Sequence, residues 1–198
     1  VSLPLAAPAA REVVMTEHEP TSLYAELLGD TWAELPPMLR RMHGEGRASG
    51  CFTIHRGRGV VRALVGWLCR FPAAGEDVPT RLVVRREGAG QSWERTFGTQ
   101  ALATTQYARE GRLIERLGPV ECVFRLRAEG RALFYEQVEA WLRLGSWRLR
   151  LPDPLAPHIQ ATVEEAPTGM HVCVRIGAAL VGGLLTYEGL VAPEEESP

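Results

Sequence analysis

Arg95 lies between two aromatic residues in the segment QSWERTFG, residues 91–98. Trp93, Arg95 and Phe97 are spaced by two, so in a β-strand their side chains share one face. Trp93 and Phe97 are large apolar groups that favour burial. Because a buried lone charge is costly, an arginine carried inward with them predicts an inward acid as its partner.

Glu115 is the acid that we predict to pair with Arg95, since it lies between Leu113 and Leu117 on one face of its segment. In a dry cavity, a carboxyl group can give or take a proton, and a guanidinium can orient it or stabilise an oxyanion. Two simpler interpretations stay open. Arg95 could lie over Trp93 with its head in water, or the ion pair could be purely structural.

Other polar side chains interrupt the apolar faces of neighbouring segments. We predict Gln137 as a third catalytic residue beside Glu115 and Arg95, because it follows Leu133 and Tyr135 on one face. Five residues are predicted to bind the substrate: Tyr187, Tyr135, Glu136, Tyr107 and Trp93. The sequence does not decide which face of each strand points inward.

Residues 120–128 show that the chain also contains cleanly alternating strands. Cys122 and Phe124 fall on one face, and Glu121 and Arg125 fall on the other. This pattern is typical of an ordinary half-buried strand with a solvated outer face.

Several kinds of site are not supported. The chain has no lysine and no asparagine, which excludes a lysine Schiff base and a phosphate-loop lysine, and its four cysteines form no CxxC pair.

His43 is predicted to end a helix, and we predict that His158 and His171 are solvated rather than metal ligands. The segment RGRG at 56–59 could hold a phosphate at a helix N-terminus, although a turn with solvated arginines is the simpler reading. We predict no metal and no cofactor.

Net charge and hydropathy limit the kinds of partner that we predict for the chain. The formal net charge is −2, which does not favour nucleic-acid binding. The apolar run near residues 60–70 is about half of the ~20 residues that a bilayer requires, so no membrane span is predicted. Reduced, mostly buried thiols favour a cytoplasmic protein. The oligomeric state stays open, with a dimer as one option.

Hydrophobic periodicity and turn residues predict the elements that position these side chains. Residues 20–43 are predicted to be helical with a break at Pro36 and Pro37, and a further helix is predicted at 60–70. Strands are predicted at 47–55, 79–87, 91–97, 101–109, 112–117, 120–128, 131–143, 146–151, 158–166, 169–177 and 183–192.

Such a long series of hairpins must hide its edges. We therefore predict a mainly β fold, an antiparallel up-and-down barrel of about ten strands with two or three N-terminal helices. The predicted organisation is a disordered arm at 1–19, a single barrel domain at 20–192 and a disordered tail at 193–198.

Six segments along the chain resemble a bacterial domain family of unknown function. They are LPPMLRRMHG, PAAGEDVP, SWERTFG, IERLGP, LPDPLAP and VGGLLTYEGLV, and the resemblance spans about residues 22–192. Members of this family occur alone or fused to saccharopine-dehydrogenase-like oxidoreductases. A stand-alone chain of this size is also similar to the spiroacetal cyclases of polyketide antibiotic biosynthesis, which are cofactor-free β-barrels.

This second resemblance implies an enzyme that forms a spiroacetal from a large, apolar hydroxyketone polyketide inside the barrel. Two alternatives remain: a non-catalytic carrier of an apolar small molecule, and an accessory module of an oxidoreductase system. A filled core without a cavity would favour the accessory module.

Overall fold

The computed structural model describes residues 22–194 of the chain. The arm predicted for residues 1–19 and most of the tail predicted for 193–198 lie outside the described residues. Within these residues there are four helices: α1 (Leu23–Leu28), α2 (Asp30–Glu34), α3 (Pro37–Met42) and α4 (Val60–Leu68). Pro37 occupies the first turn of α3, where a missing N–H is harmless. No helix of the described residues is long and apolar enough to cross a membrane.

Between residues 22 and 194, eleven strands follow the predicted order closely. They are β1 (Gly46–Arg56), β2 (Gly75–Glu87), β3 (Gly90–Phe97), β4 (Gln100–Arg109), β5 (Arg112–Leu117), β6 (Val120–Glu129), β7 (Ala132–Leu144), β8 (Trp147–Arg150), β9 (Pro157–Ala166), β10 (Gly169–Ala178) and β11 (Gly182–Pro193). β2 begins four residues earlier than predicted, at Gly75 rather than residue 79. Asp77 has a φ of 50° there, and the pairing with β1 shifts in register nearby.

Ten of the strands close into an antiparallel barrel, which confirms the predicted fold. The order β6-β5-β4-β3-β2-β1-β11-β10-β9-β7 is closed by pairing between β6 and β7. β7 branches, because its first part pairs with β9 and its last part, Trp141–Leu144, pairs with β8. β8 is therefore an additional strand outside the closed ring.

Glycines allow the sheet to coil tightly where β1 meets β11. A Cβ added at Gly50 would lie only 1.8 Å from the carbonyl oxygen of Leu190. Gly189 lies opposite Phe52, whose ring covers the position that a side chain would occupy. Positions of this kind bend a sheet toward closure.

The two ends of the barrel differ. At the closed end, α1 to α3 precede β1 and bury Tyr24, Leu39 and His43 almost completely. At the open end, α4 connects β1 to β2 and lies against the turn that joins β10 to β11, while the turn that joins β7 to β8 lies across the barrel at the same end. The helices and the barrel interior share one apolar core.

Candidate functional site

A cavity of about 600 Å³ occupies the barrel interior. It extends from His43 at the closed end to Val61 and Leu180 at the open end, and its walls are mostly apolar. Its charged side chains belong to Arg95 and Glu115. The cavity is thus an apolar compartment with a localised ionic group, the kind of site that binds a small molecule.

Arg95 and Glu115 form the predicted ion pair inside the barrel. Arg95 Nη2 lies 3.2 Å from Glu115 Oε1, and Arg95 Nη1 donates to the hydroxyl of Thr104 at 2.9 Å. Thr104 in turn donates to the same Glu115 oxygen at 2.7 Å. The guanidinium also lies 5.2 Å from the Trp93 ring centroid. Arg95 therefore lies over Trp93, as one of the simpler interpretations proposed, but this contact is inside the cavity rather than at the protein surface.

The Arg95–Thr104–Glu115 cluster comes from three consecutive strands. β3, β4 and β5 are joined by tight hairpins, and alternation turns these three side chains to the inner face. Burial lowers the pKa of Arg95, but the charge and hydrogen bond of Glu115 together with the nearby tyrosines raise it overall, so the guanidinium stays positive. Both hydrogen bonds to the carboxylate end on Oε1. Glu115 Oε2 accepts no hydrogen bond from any described residue.

Three of the predicted substrate-binding residues line the cavity: Trp93, Tyr135 and Tyr187. Tyr187 packs edge-on against Phe52 at a ring distance of 5.8 Å and lies 5.4 Å from Phe97. Burial raises the pKa of Tyr187. Its phenol is therefore a hydrogen-bond donor at neutral pH, and it makes no hydrogen bond within residues 22–194.

A second polar group lies at the closed end and was not predicted. The hydroxyl of Tyr24 donates to Gln106 Oε1 at 2.7 Å and lies 3.1 Å from the hydroxyl of Tyr135. The Tyr135 hydroxyl also lies 2.8 Å from His43 Nε2. His43 Nδ1 lies 2.7 Å from the carbonyl oxygen of Leu39, which can only accept. A neutral His43 therefore carries its proton on Nδ1 and accepts from Tyr135 through Nε2.

His43 ends α3, as predicted, but it points into the protein. Burial lowers the pKa of His43 to about 4. At neutral pH the imidazole is uncharged, so it does not act as a cation at the helix C-terminus. Its own carbonyl accepts a hydrogen bond from Gln91 Nε2 at 3.0 Å, which fixes the turn between α3 and β1.

Three predicted site residues do not line the cavity. Glu136 and Tyr107 point outward, because their strand neighbours Tyr135 and Gln106 occupy the inner face. The Glu136 side chain is 64% exposed. Gln137 shares the face of Tyr135, but its amide donates to the carbonyl of Pro157 and it does not line the cavity. Glu136, Tyr107 and Gln137 therefore lie outside the cavity lining, and their roles stay predictions.

Glu121 is buried on the outer face of the barrel, where the alternating pattern predicted a solvated residue. Three side chains cover the Glu121 carboxylate. Arg148 of β8 donates from Nε to Glu121 Oε2 at 3.0 Å. Arg143 and Tyr107 donate to Glu121 Oε1 at 2.9 and 3.0 Å, respectively. Burial raises the pKa of Glu121, but these hydrogen bonds lower it more. The cluster fastens β8 to the barrel wall.

The described residues contain no group of histidine, cysteine, aspartate and glutamate side chains that could hold a metal ion. His158 lies opposite Gly177 and His171 lies opposite Glu164, at the two ends of the β9–β10 pair. His171 instead lies 3.2 Å from Glu188.

Comparison with known families gives a match over residues 35–191 to the family described as "Domain of unknown function (DUF4166)". The chain belongs to this family. No curated protein matches this DUF4166 chain. One solved structure, the "REP1-NXSQ fatty acid transporter", is similar to it at 9% sequence identity and a TM-score of 0.35, over 77% of this chain and 97% of the other. That likeness is too slight to bear on function.

Proposed function

We propose that this DUF4166 domain is a cofactor-free cyclase that converts an apolar dihydroxyketone of polyketide type into a spiroacetal with loss of one water. The observation that carries the proposal is the Arg95–Thr104–Glu115 cluster inside an otherwise apolar cavity. Spiroacetal formation requires a group that moves protons at oxygen atoms and a charge that stabilises an oxyanion, and these residues supply both.

The first half of the reaction forms a hemiacetal. One substrate hydroxyl attacks the ketone carbon, and its proton passes to Glu115 Oε2, the oxygen that no described residue occupies. The carbonyl oxygen gains negative charge as its π bond opens. Arg95 lies beside Glu115 and is positively charged, so it stabilises that charge until Glu115 returns the proton to this oxygen, which completes the hemiacetal and restores the carboxylate.

The second half removes water. The carboxylate takes up a proton from solvent and gives it to the hemiacetal hydroxyl, which leaves as water and gives an oxocarbenium ion. The second substrate hydroxyl attacks this carbon and gives its proton to Glu115, which releases it to solvent, so Glu115 ends the cycle as the carboxylate with which it began. Overall, two O–H bonds and one C=O bond are exchanged for two C–O bonds and one molecule of water.

The rest of the cavity folds the substrate. Its volume of about 600 Å³ lies within the range of roughly 300–1,000 Å³ for small-molecule sites. The apolar walls exclude water and hold the carbon chain of the substrate so that its hydroxyls lie near its ketone. This proximity raises the effective concentration of the hydroxyls at the ketone carbon. Tyr187 is placed to donate a hydrogen bond to a substrate oxygen, because its hydroxyl has no partner among residues 22–194 and it lines the cavity.

The test is to incubate the purified protein with an acyclic, long-chain dihydroxyketone and to follow product by mass spectrometry and chiral chromatography. We expect loss of one water faster than in buffer alone, and a product enriched in one stereoisomer at the spiro carbon. A racemic product formed at the buffer rate would refute the proposal.

A carrier of apolar small molecules is the second candidate, favoured by the predominance of apolar side chains along the whole cavity. Such a carrier would bind the same dihydroxyketone without converting it. An accessory module is expected to have a filled core, so the cavity favours the two ligand-binding functions over it.

A further inference from the structure

Exposed apolar side chains are concentrated at the open end of the barrel. Ten of the twelve large apolar residues exposed within residues 22–194 belong to elements at this end. These ten are Val60, Val61, Leu64, Trp67, Leu68, Leu144, Trp147, Leu149, Leu155 and Leu180. The other two, Val138 and Leu190, lie on the barrel wall. Five of the ten lie on the single helix α4, and a monomeric protein rarely exposes so many apolar groups on one element without a partner.

α4 is apolar both toward the cavity and toward the outside. Val61 and Val65 line the cavity mouth. Val60, Leu64 and Trp67 are 86%, 61% and 75% exposed. The helix therefore lies across the mouth with a second apolar side that no described residue covers.

The segment around α4 is also cationic. Residues 55–75 contain four arginines and no acidic residue. Arg62 donates to the carbonyl oxygens of Val181 and Arg58, both at 2.7 Å, and the Arg56 guanidinium packs against Gly66. Within the described residues, none of these arginines, nor Arg70, forms an ion pair with a carboxylate.

We propose that the open end of the barrel docks on an anionic lipid bilayer, with α4 lying in the interface. Trp67 and Leu64 would enter the boundary between headgroups and acyl chains, and the arginines would face lipid phosphates. Charge favours this partner over a second copy of the chain. Two copies docked mouth to mouth would bring the same arginines together, whereas anionic headgroups neutralise them.

Docking would place the cavity mouth against the acyl-chain region. Val61 and Val65 continue the apolar surface from the outside of α4 into the cavity. An apolar ligand could then pass between bilayer and cavity without crossing water. This inference does not depend on the chemistry proposed at Glu115, because a carrier would use the same route.

Vesicle co-sedimentation tests the docking. The full chain is mixed with vesicles of phosphatidylcholine alone, or of phosphatidylcholine with phosphatidylglycerol, at low and at high salt. We expect binding to the anionic vesicles that weakens as salt rises. Arg58→Glu together with Arg70→Glu should reduce the affinity at least about tenfold, since each basic residue near an anionic surface contributes about 1 kcal/mol. Absence of binding to anionic vesicles would overturn the proposal.

A matched pair of variants separates the open end from the wall. Trp67→Asp places an acid at the open end, and Leu190→Asp places one at the exposed wall position. We expect only Trp67→Asp to lose vesicle binding, with both variants folded by circular dichroism. Trp67→Phe should bind but show weaker fluorescence quenching by brominated lipid. Equal loss in both Asp variants, or a dimer that Trp67→Asp dissolves in the absence of vesicle binding, would contradict the proposal.

Discussion

Arg95 and Glu115 meet inside the barrel, with Nη2 of one 3.2 Å from Oε1 of the other. Their side chains are 17% and 20% exposed. A second arginine–glutamate pair, Arg85 and Glu94, joins β2 and β3 on the outer face, where the side chains are 52% and 48% exposed. The same strand β3 thus presents one charge to the cavity and the adjacent charge to solvent. The outer pair is a matched control for the inner one.

The pH dependence of stability should report on His43. Burial lowers the pKa of His43 from 6.5 to about 4, so between these values the unfolded chain binds a proton that the folded protein does not. The free energy of unfolding therefore falls as pH decreases through this window. His43 alone should account for about 1.5 kcal/mol between pH 6.5 and 5.

Urea unfolding of the wild type and of His43→Gln at several pH values measures this contribution. The variant should be less stable at pH 7, because it loses the contact with Leu39, but it should have a flatter pH profile. Parallel profiles for the two proteins between pH 6.5 and 5 would show that His43 is not the titrating group.

Two tyrosine hydroxyls that line the same cavity should behave differently when removed. Tyr135→Phe leaves His43 Nε2 without its donor in a buried place and should cost about 1–3 kcal/mol of stability. Tyr187→Phe removes a hydroxyl that has no hydrogen bond among residues 22–194, so stability should change little. If Tyr187 orients the substrate, its loss should instead lower the rate of cyclisation. A large loss of stability in Tyr187→Phe would refute this assignment.

Glu121 should be structural rather than functional. Glu121→Gln weakens the hydrogen bonds from Arg143 and Arg148, so β8 should be held less firmly. We expect a lower thermal midpoint and faster amide exchange at Trp147–Arg150, with the cyclisation rate of the folded protein unchanged. Unaltered exchange in β8 would contradict the fastening role of this cluster.

Strand periodicity and turn residues predicted the barrel because these signals are local. Gly88, Gly98, Gly111 and Gly130 have positive φ angles in hairpin turns, and each separates two segments that alternate with period two. The Arg95–Glu115 pair was predictable for a related reason. A charge on an otherwise apolar face needs a partner, and few acids lay on such faces.

The closed end of the cavity could not be predicted in the same way. Tyr24 and His43 belong to short helical segments, where period-two alternation gives no signal, and their contacts with Gln106 and Tyr135 span 82 and 92 residues. Tyr107 and Glu136 lie on the outer face for a local reason. Each lies one position from an inward residue, and a shift of one position reverses the face. Glu121 was misjudged because β8 covers the outer face.

The central claim is that Glu115 and Arg95 carry the chemistry of the cavity. The most direct measurement is the rate of water loss from an acyclic dihydroxyketone with the wild type, Glu115→Gln, Arg95→Met and the outer-face control Glu94→Gln, each at enzyme concentrations above that of the substrate. We expect Glu115→Gln and Arg95→Met to lose most of the rate while they remain folded and still bind the substrate, and Glu94→Gln to retain it. Full activity in both cavity variants would contradict the account.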